Sequence, residues 1–567
     1  MPHPATRPLL VAPRLAALGV ALGVAALAAP AAQAQPAAQP TTAQQPPPAA
    51  ASAVPSPFPD TPLGRLGRAL VDAVNAGDSA AIGRFVAAHV GTVGMRDVGA
   101  AARAHTFVTL AAQSGGLTVE RAHVAGAALR VLTRARRVDR LVGLEFEPAS
   151  DDTTRLADVG IYPMDPAMMA GPPAPWATGP LRDDSLAALI RRRVRQAADS
   201  DRFSGVVLVA HGDRVLVHEP VGYADRARRA PNTRATRFQT TSVGKMFTGV
   251  AVAQLVRAGR LAFDDTLLRV LPDYPNADAA RRTTLRQLLT HTAGAPEPFL
   301  SPRFAAAPDG ASHAELLRTF ADAPPAFAPG ARHEYSNGNF AALAAVVERA
   351  SGEHYEDYLR RHVWGPAGMR PVAHPAWSDA PGLAVAYARF ADRDPLGVGP
   401  REATPAPARA SHARLRGFGG GAYTAEELFR FARAVRTGRL LGTALTDSVV
   451  AGRVETGGGG PDGPTRYGFG FYEQQRAGAG GRPVRVVGHP GSNPNTGWDA
   501  DVELVWDGDW TVVVLANDDA PAGMLLSYPI IDLLARQPVA GAAAAHAAAP
   551  TAARTAVRTP ARATGAR

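Results

Sequence analysis

The chain has 567 residues, 46% of them hydrophobic and 19% charged, which is enough apolar material for more than one globular domain. Its formal net charge is +10, but no basic run carries interleaved aromatic residues, so a nucleic-acid partner is not indicated. Cysteine is absent, which excludes disulfides, thiolate nucleophiles, cysteine-ligated metals and a lipid anchor on cysteine.

Residues 1–34 carry Arg7 and Arg14, then an apolar run from Leu15 to Ala29, then Ala32-Gln33-Ala34. This pattern reads as a secretory signal, so the expected location is periplasmic or extracellular. The run is short and rich in alanine, and no permanent membrane span is expected from it. Residues 35–57 are proline-rich and low in complexity, without an apolar face, and read as a disordered linker.

A first folded segment is expected over 58–170. Leu63, Leu66, Leu70 and Val74 recur at helical spacing, and a second helical pattern with Ile82, Phe85 and Val86 follows Asp78, a good N-cap. Four runs with strand character come next, beginning at Leu117, Ala128, Arg140 and Arg155. Apolar alternation is plain in Leu129, Val131 and Thr133 and in Leu144 and Phe146. Helices leading into a strand meander predict a small α+β domain, similar in layout to the cone-shaped nuclear-transport-factor-2-like fold. No catalytic grouping occurs in it, and its position ahead of the larger domain fits a substrate gate or a partner platform.

Residues 171–182 form a second proline-rich boundary, and a larger α+β domain is expected over 183–537. It opens with a helix over 183–198 and a hairpin turning at Gly212-Asp213. A long section of helical patterns follows. Strand patterns return in PVRVVGHPGS, ADVELVWDG and DWTVVVLANDD, ahead of a helix from Leu525 to Arg536. Strands at both ends with helices between them predict that the two ends meet in one antiparallel sheet. Residues 538–567 read as a disordered tail.

One lysine, Lys245, stands among 60 basic side chains, in the stretch FQTTSVGKMFTGVAVAQLVRAG. Arginine stays protonated at any pH a protein meets, whereas a desolvated lysine can lose its proton and act as a base. Thr240 and Thr241 are expected N-caps of a helix that stops at Gly259, with Ser242 in its first turn. Residues i and i+3 share a helix face about 5 to 6 Å apart, so the amine can reach the Ser242 hydroxyl and activate it. Backbone donors at the helix start favour negative charge developing there. A phosphate loop is excluded because Gln239 and Met246 stand where glycine and Ser/Thr are needed. HEYSN at 333–337 lacks the second histidine of a zinc helix, and no GxSxG elbow is present.

Ser242-Val243-Gly244-Lys245 resembles the SxxK motif of the serine β-lactamases and penicillin-binding proteins. Tyr335-Ser336-Asn337 resembles the YxN element of the class C β-lactamase-related branch, and His489-Pro490-Gly491 the HxG form of its KTG element. THTAG at 290–294 and YGFGF at 467–471 also match that branch. The similarity covers about 183–537 and implies the β-lactamase/transpeptidase-like fold. It implies that Ser242 is acylated, that Lys245 is its base, and that Tyr335 moves protons to the leaving group and from water. Asn337 would orient Lys245 and a substrate amide, and His489 would line the site. Gly491 would help to bind and orient the substrate, and the backbone N–H groups of Ser242 and Ser492 would form the oxyanion hole. The lysine of KTG, which holds a substrate carboxylate in β-lactamases, is replaced by His489, mostly neutral at pH 7, and the threonine by Pro490.

The expected activity is therefore that of an exported serine hydrolase acting on small esters or on D-amino-acid amides and peptides, with β-lactam hydrolysis disfavoured. Neither a cofactor nor a metal is expected. The alternative is a non-catalytic envelope protein that uses the same fold to bind peptidoglycan or a partner.

Overall fold

The computed structural model describes residues 57–90, 100–125, 128–148, 155–164, 176–177, 179–308, 310–371, 380–388, 394–397, 399, 402–403, 417–460, 463–493, 496–518 and 521–538. The expected signal lies outside these residues, as do the 35–57 linker except residue 57 and the C-terminal tail except residue 538.

The first domain begins with α1 (Pro62–Ala76), whose N-cap Thr61 accepts a hydrogen bond from Gly64 N, and α2 (Ser79–His89), capped by Asp78 through Ala80 N and Ala81 N. A third helix, α3 (Ala100–Ser114), was not anticipated from the sequence. Alanine on every face of AAARAHTFVTLAAQS gives high helix propensity but little contrast between an apolar and a polar side. Strands β1 (Leu117–Ala125), β2 (Ala128–Ala135), β3 (Leu141–Pro148) and β4 (Leu156–Met164) form an antiparallel meander in sequence order. Leu70, Leu110, Leu129, Phe146 and Leu156 are fully buried between helices and sheet. Leu396, which belongs to the chain of the second domain, completes this core at 0% exposure. Gln113 grips its segment: its Nε2 donates to Asp394 Oδ1 at 3.4 Å, and its Oε1 accepts from Leu396 N at 3.3 Å.

The second domain contains α4 (Asp183–Asp199), β5 (Gly205–His211) and β6 (Arg214–Val221) at its start. At its end lie β7 (Val454–Gly460), β8 (Gly463–Tyr467), β9 (Tyr472–Ala477), β10 (Pro483–Asn493), β11 (Trp498–Val505) and β12 (Trp510–Ala516). These make one eight-stranded sheet in the order β7-β8-β9-β10-β11-β12-β5-β6. The two ends of the domain meet at β12 and β5, antiparallel from Trp510↔His211 to Ala516↔Gly205, as the terminal strand patterns predicted.

Helix α5 (Gly244–Arg257) and helix α6 (Asn337–Ser351) pack against each other on one side of this sheet. Every residue of α5 from Gly244 to Leu255 is buried, as an apolar helix enclosed on all sides requires. The other face is covered by α4 and the C-terminal α7 (Ala522–Ala535). Among the described residues no helix is long and apolar enough to cross a membrane.

Three carboxyl groups occupy alternate positions of β11 on the face under α7. Asp499, Asp501 and Glu503 are at most 1% exposed. Gly523 N donates to Asp499 Oδ2 at 2.6 Å and Ser527 Oγ donates to Asp501 Oδ2, both from α7. Burial pushes the Asp499 carboxyl up to about 7, and burial raises Asp501 and Glu503 too, with their mutual repulsion adding to the rise at Glu503. Arg476, itself 3.8 Å from Asp532, opposes part of the shift at Asp501 and Glu503. Between the unfolded and folded pKa values the folded state holds more protons. The stabilising contribution is therefore complete below about pH 4 and is lost as pH rises through the folded values. The melting temperature is expected to fall by roughly 5 °C or more between pH 5 and pH 8. Asp499→Asn combined with Glu503→Gln, neutral in both states, should flatten that slope and raise the melting temperature at pH 8, as read by calorimetry.

Candidate active site

Ser242 lies in a single turn of 3-10 helix (Thr241–Val243) that leads directly into α5. The expected capping by Thr240 and Thr241 is not observed: neither hydroxyl caps the helix, and both are buried without a hydrogen-bond partner among the described residues. Thr241 instead adopts φ 44°, a left-handed conformation that is costly for a β-branched residue. The cause is crowding from β10. A Cβ on Gly491 would lie 2.1 Å from Thr240 O and 3.0 Å from Ser242 N, so the strand reaches the Ser242 turn only because position 491 has no side chain.

Lys245, one turn on, is 0% exposed. Its Nζ is 3.0 Å from Ser242 Oγ, 2.8 Å from Asn337 Oδ1 and 2.7 Å from Phe418 O. Burial pushes its amine well below the ordinary lysine range, and the charge of Glu297 offsets part of that shift. A neutral amine has two N–H groups and one lone pair. The amide oxygen and the carbonyl can only accept, so they take the two N–H groups and leave the lone pair for the Ser242 hydroxyl.

Tyr335 and Asn337 come from the segment that opens α6. Ser336, extended at φ −140° and ψ 132°, is the N-cap, so its two neighbours project to the same side, as the period of an extended segment predicts. Tyr335 Oη donates to Ser242 Oγ at 2.9 Å, and its ring centroid is 4.8 Å from Lys245 Nζ. Burial holds the phenol well above its ordinary pKa. The site therefore contains a lysine driven toward the neutral form beside a tyrosine held protonated, both on one serine oxygen.

His489 requires a correction. It lies on β10 on the same side as Gly491, but it is 1% exposed and both ring nitrogens are engaged. Nδ1 donates to Pro490 O at 2.6 Å, which leaves Nε2 to accept from Tyr467 Oη at 3.0 Å. Burial first, and then the proximity of Lys245, bring its pKa down to about 3, so the imidazole is neutral as expected, but it supports Tyr467 and offers no free nitrogen to a ligand. Asn337 is also used differently from the expectation. Its Nδ2 is 3.3 Å from both carboxylate oxygens of Glu297 and is not free for a substrate amide.

Ser492 pairs with Asp499 across β10 and β11, and its side chain points to that carboxyl, away from Ser242. On its other edge, β10 pairs with β9 only as far as Gly488. On that edge the backbone from His489 to Asn493 has no strand neighbour among the described residues where it passes the Ser242 turn. Lys245 Nζ and Tyr335 Oη thus meet on Ser242 Oγ, Asn337 reaches it only through Lys245, and His489 lies behind them. Sequence reasoning missed Phe418 O and Glu297. A signal for the first existed in GFGGG at 417–421, where Gly417, Gly420 and Gly421 have φ of 85° to 90° and the chain runs close to Thr241.

Comparison with known proteins matches residues 190–536, more than half of the chain, to the model described as Beta-lactamase. The chain belongs to the beta-lactamase family. Among relatives, a Bacillus subtilis (strain 168) protein described as penicillin-binding protein PbpX is 27% identical over 48% of this chain and 62% of its own length. Esterase EstB of Burkholderia gladioli is 35% identical over 33% of this chain and 51% of its own. The chain thus spans less than two thirds of either relative. Among solved structures, EstCE1, a hydrolase with promiscuous acyltransferase activity, is 26% identical with a TM-score of 0.51, covering 62% of this chain and 99% of that one. The β-lactamase/transpeptidase-like fold expected from the motifs is the fold of this family. The family match begins inside α4, so the likeness of the first domain to the cone-shaped fold stands on element order alone.

The Gly491 contact gives a direct test of the site geometry. Gly491→Ala is expected to push β10 away from Ser242, lowering serine acylation by at least about 100-fold and reducing stability by about 1 to 3 kcal/mol. Acylation rates and denaturant melts of the variant measure both.

Proposed function

We propose that this protein is an acyl-transferring serine hydrolase whose substrates are small carboxylic esters, or amides of comparable size, that carry no anionic group at the His489 side of the site. The observation that carries the proposal is the lone pair of Lys245 directed at Ser242 Oγ by two obligate acceptors. In the proposed cycle the Ser242 proton passes to Lys245 Nζ while Oγ bonds to the acyl carbon. The oxyanion is held by the N–H groups of Ser242 and Ser492, each typically worth about 3 to 4 kcal/mol. As the bond to the leaving group breaks, Tyr335 supplies the leaving group's proton and regains one from the Lys245 ammonium. Water then attacks the acyl carbon, and its proton passes through the same pair to Ser242 Oγ as the acyl–Oγ bond breaks, which releases the acid and restores the serine.

The substrate preference follows from how His489 is engaged. A β-lactam carries a carboxylate that needs a cation or a free donor, and the nitrogens of His489 are spent on Pro490 and Tyr467. The similarity to esterase EstB supports an ester substrate.

An activated phosphonate is expected to add its mass to Ser242, with no labelling in Ser242→Ala. Lys245→Arg should keep the fold and lose about 10³-fold in acylation, because arginine cannot give up its proton. Near-normal turnover of that variant would remove the base role. Across a panel of esters, D-peptides and β-lactams, ligand affinity without any turnover would favour the non-catalytic binding role instead.

We also propose that the protein is exported and cleaved after Ala34, from the arrangement of Arg7, Arg14, the apolar run and Ala32-Gln33-Ala34. Mass spectrometry of the protein expressed from its full reading frame should give a mature N-terminus at Gln35. An uncleaved chain retained in the cytoplasm would refute export.

A further inference from the structure

The THTAG run and the residues just after it have no part in the proposed cycle, yet they form the bed on which the Tyr335–Asn337 segment rests. His291, at φ 54°, accepts Glu334 N at its carbonyl (2.9 Å). Its Nδ1 accepts Ser336 N at 3.3 Å and lies 3.0 Å from Asn339 Nδ2. Pro296 O accepts from Ser336 Oγ at 3.3 Å, and a Cβ on Gly338 would stand 2.0 Å from that oxygen, so α6 begins in contact with this loop.

Glu297 ends the bed. Its Oε2 accepts Asn337 N at 2.9 Å, its Oε1 accepts Phe299 N at 3.3 Å, and both oxygens lie 3.3 Å from Asn337 Nδ2. An ionised carboxylate is an acceptor only. It therefore admits one orientation of the Asn337 amide: Nδ2 toward Glu297 and Oδ1 toward Lys245 Nζ, 2.8 Å away. With the amide reversed, two acceptors would face each other, and the N–H groups of Asn337 would attract the lysine lone pair away from Ser242.

We propose that Glu297 is a positioning residue of the catalytic machinery, acting through Asn337 to aim the Lys245 lone pair at Ser242. This rests on the reading of Lys245 as the base. The other groups facing Lys245 are Ser242 on its own turn, Tyr335 and Phe340 at the start of α6, Phe418 with its carbonyl, His291 from the same loop as Glu297, and His489 on β10. Both histidines are held neutral by burial, so Glu297 is the anion that acts on the lysine. Its carboxylate favours the ammonium form. Removing that charge lowers the lysine pKa, and since the base must be deprotonated, the acid limb of activity moves to lower pH.

The chain contains a single lysine, which allows a direct measurement. Full-length protein with a lysine-free tag, labelled with ¹³Cε-lysine, gives one lysine resonance whose pH titration reports Lys245 whether or not the protein turns over. In Glu297→Gln the titration midpoint is expected to fall by at least half a pH unit. The acid limb of ester hydrolysis should follow it, with kcat reduced about 10-fold or more and KM changed by less than about 2-fold. Glu297→Asp, which keeps the charge, should restore the midpoint. A Gln variant with an unmoved resonance and unchanged kcat, whatever its melting temperature, would reduce Glu297 to a cap of α6 and overturn the proposal. Failure of the wild type to label at Ser242 would instead defeat the hydrolase reading, and the titration would still decide whether Glu297 governs Lys245.

Discussion

A lysine amine with no access to water, surrounded by two obligate acceptors and one hydroxyl, sets the terms for the rest of this molecule. Desolvation disfavours the ammonium, and the acceptors then fix which way the neutral amine points. Arginine could not replace it, because its charge is permanent and its planar fork needs more acceptors than this cavity offers. In a chain whose other basic residues are all arginine, that physical difference gives a reason for the one exception. The arrangement works only if helix, loop and strand are held to within tenths of an ångström, and the surrounding structure is built accordingly.

That precision is obtained by close backbone approaches. Gly491 brings β10 onto the Ser242 turn, Gly419 lets the segment carrying Phe418 O pass Thr241, and Gly249 lets α5 lie against the carbonyl of Phe469. Each allows a main chain to come where a methyl group would collide. The left-handed Thr241 is what this crowding costs locally, about 1 to 3 kcal/mol of strain beside Ser242. The fully buried α5 and the single core it shares with α6 supply the packing that keeps the turn in place.

Two other features concern how the site is reached and addressed. The Tyr467–His489–Pro490 chain engages both ring nitrogens of His489, so β10 presents no free donor from that side chain. The first domain is tied to the second through Leu396 and Gln113. The segment that Gln113 grips is followed later in the chain by Phe418, whose carbonyl accepts from the Lys245 amine.

Sequence by itself determined the elements whose residues act locally. Strand alternation and the Gly212 turn gave the hairpins, terminal strands gave a sheet closed by both ends, and the i, i+3 spacing put Lys245 beside Ser242. The period of an extended segment likewise put Tyr335 and Asn337 on one side. Two kinds of feature escaped it: a helix without contrast between its faces, and whatever depends on a partner far along the chain. Helix α3 was missed because alanine blurs its faces, and the Thr240 and Thr241 caps gave way because β10 crowds the turn. His489 is turned inward by Tyr467. Glu297 and the Phe418 carbonyl lie 52 and 173 residues from Lys245, and a carbonyl has no side-chain signature at all. Only the tertiary structure could decide them, because where an amine points is settled by the acceptors that burial leaves it, and those are chosen by packing in three dimensions.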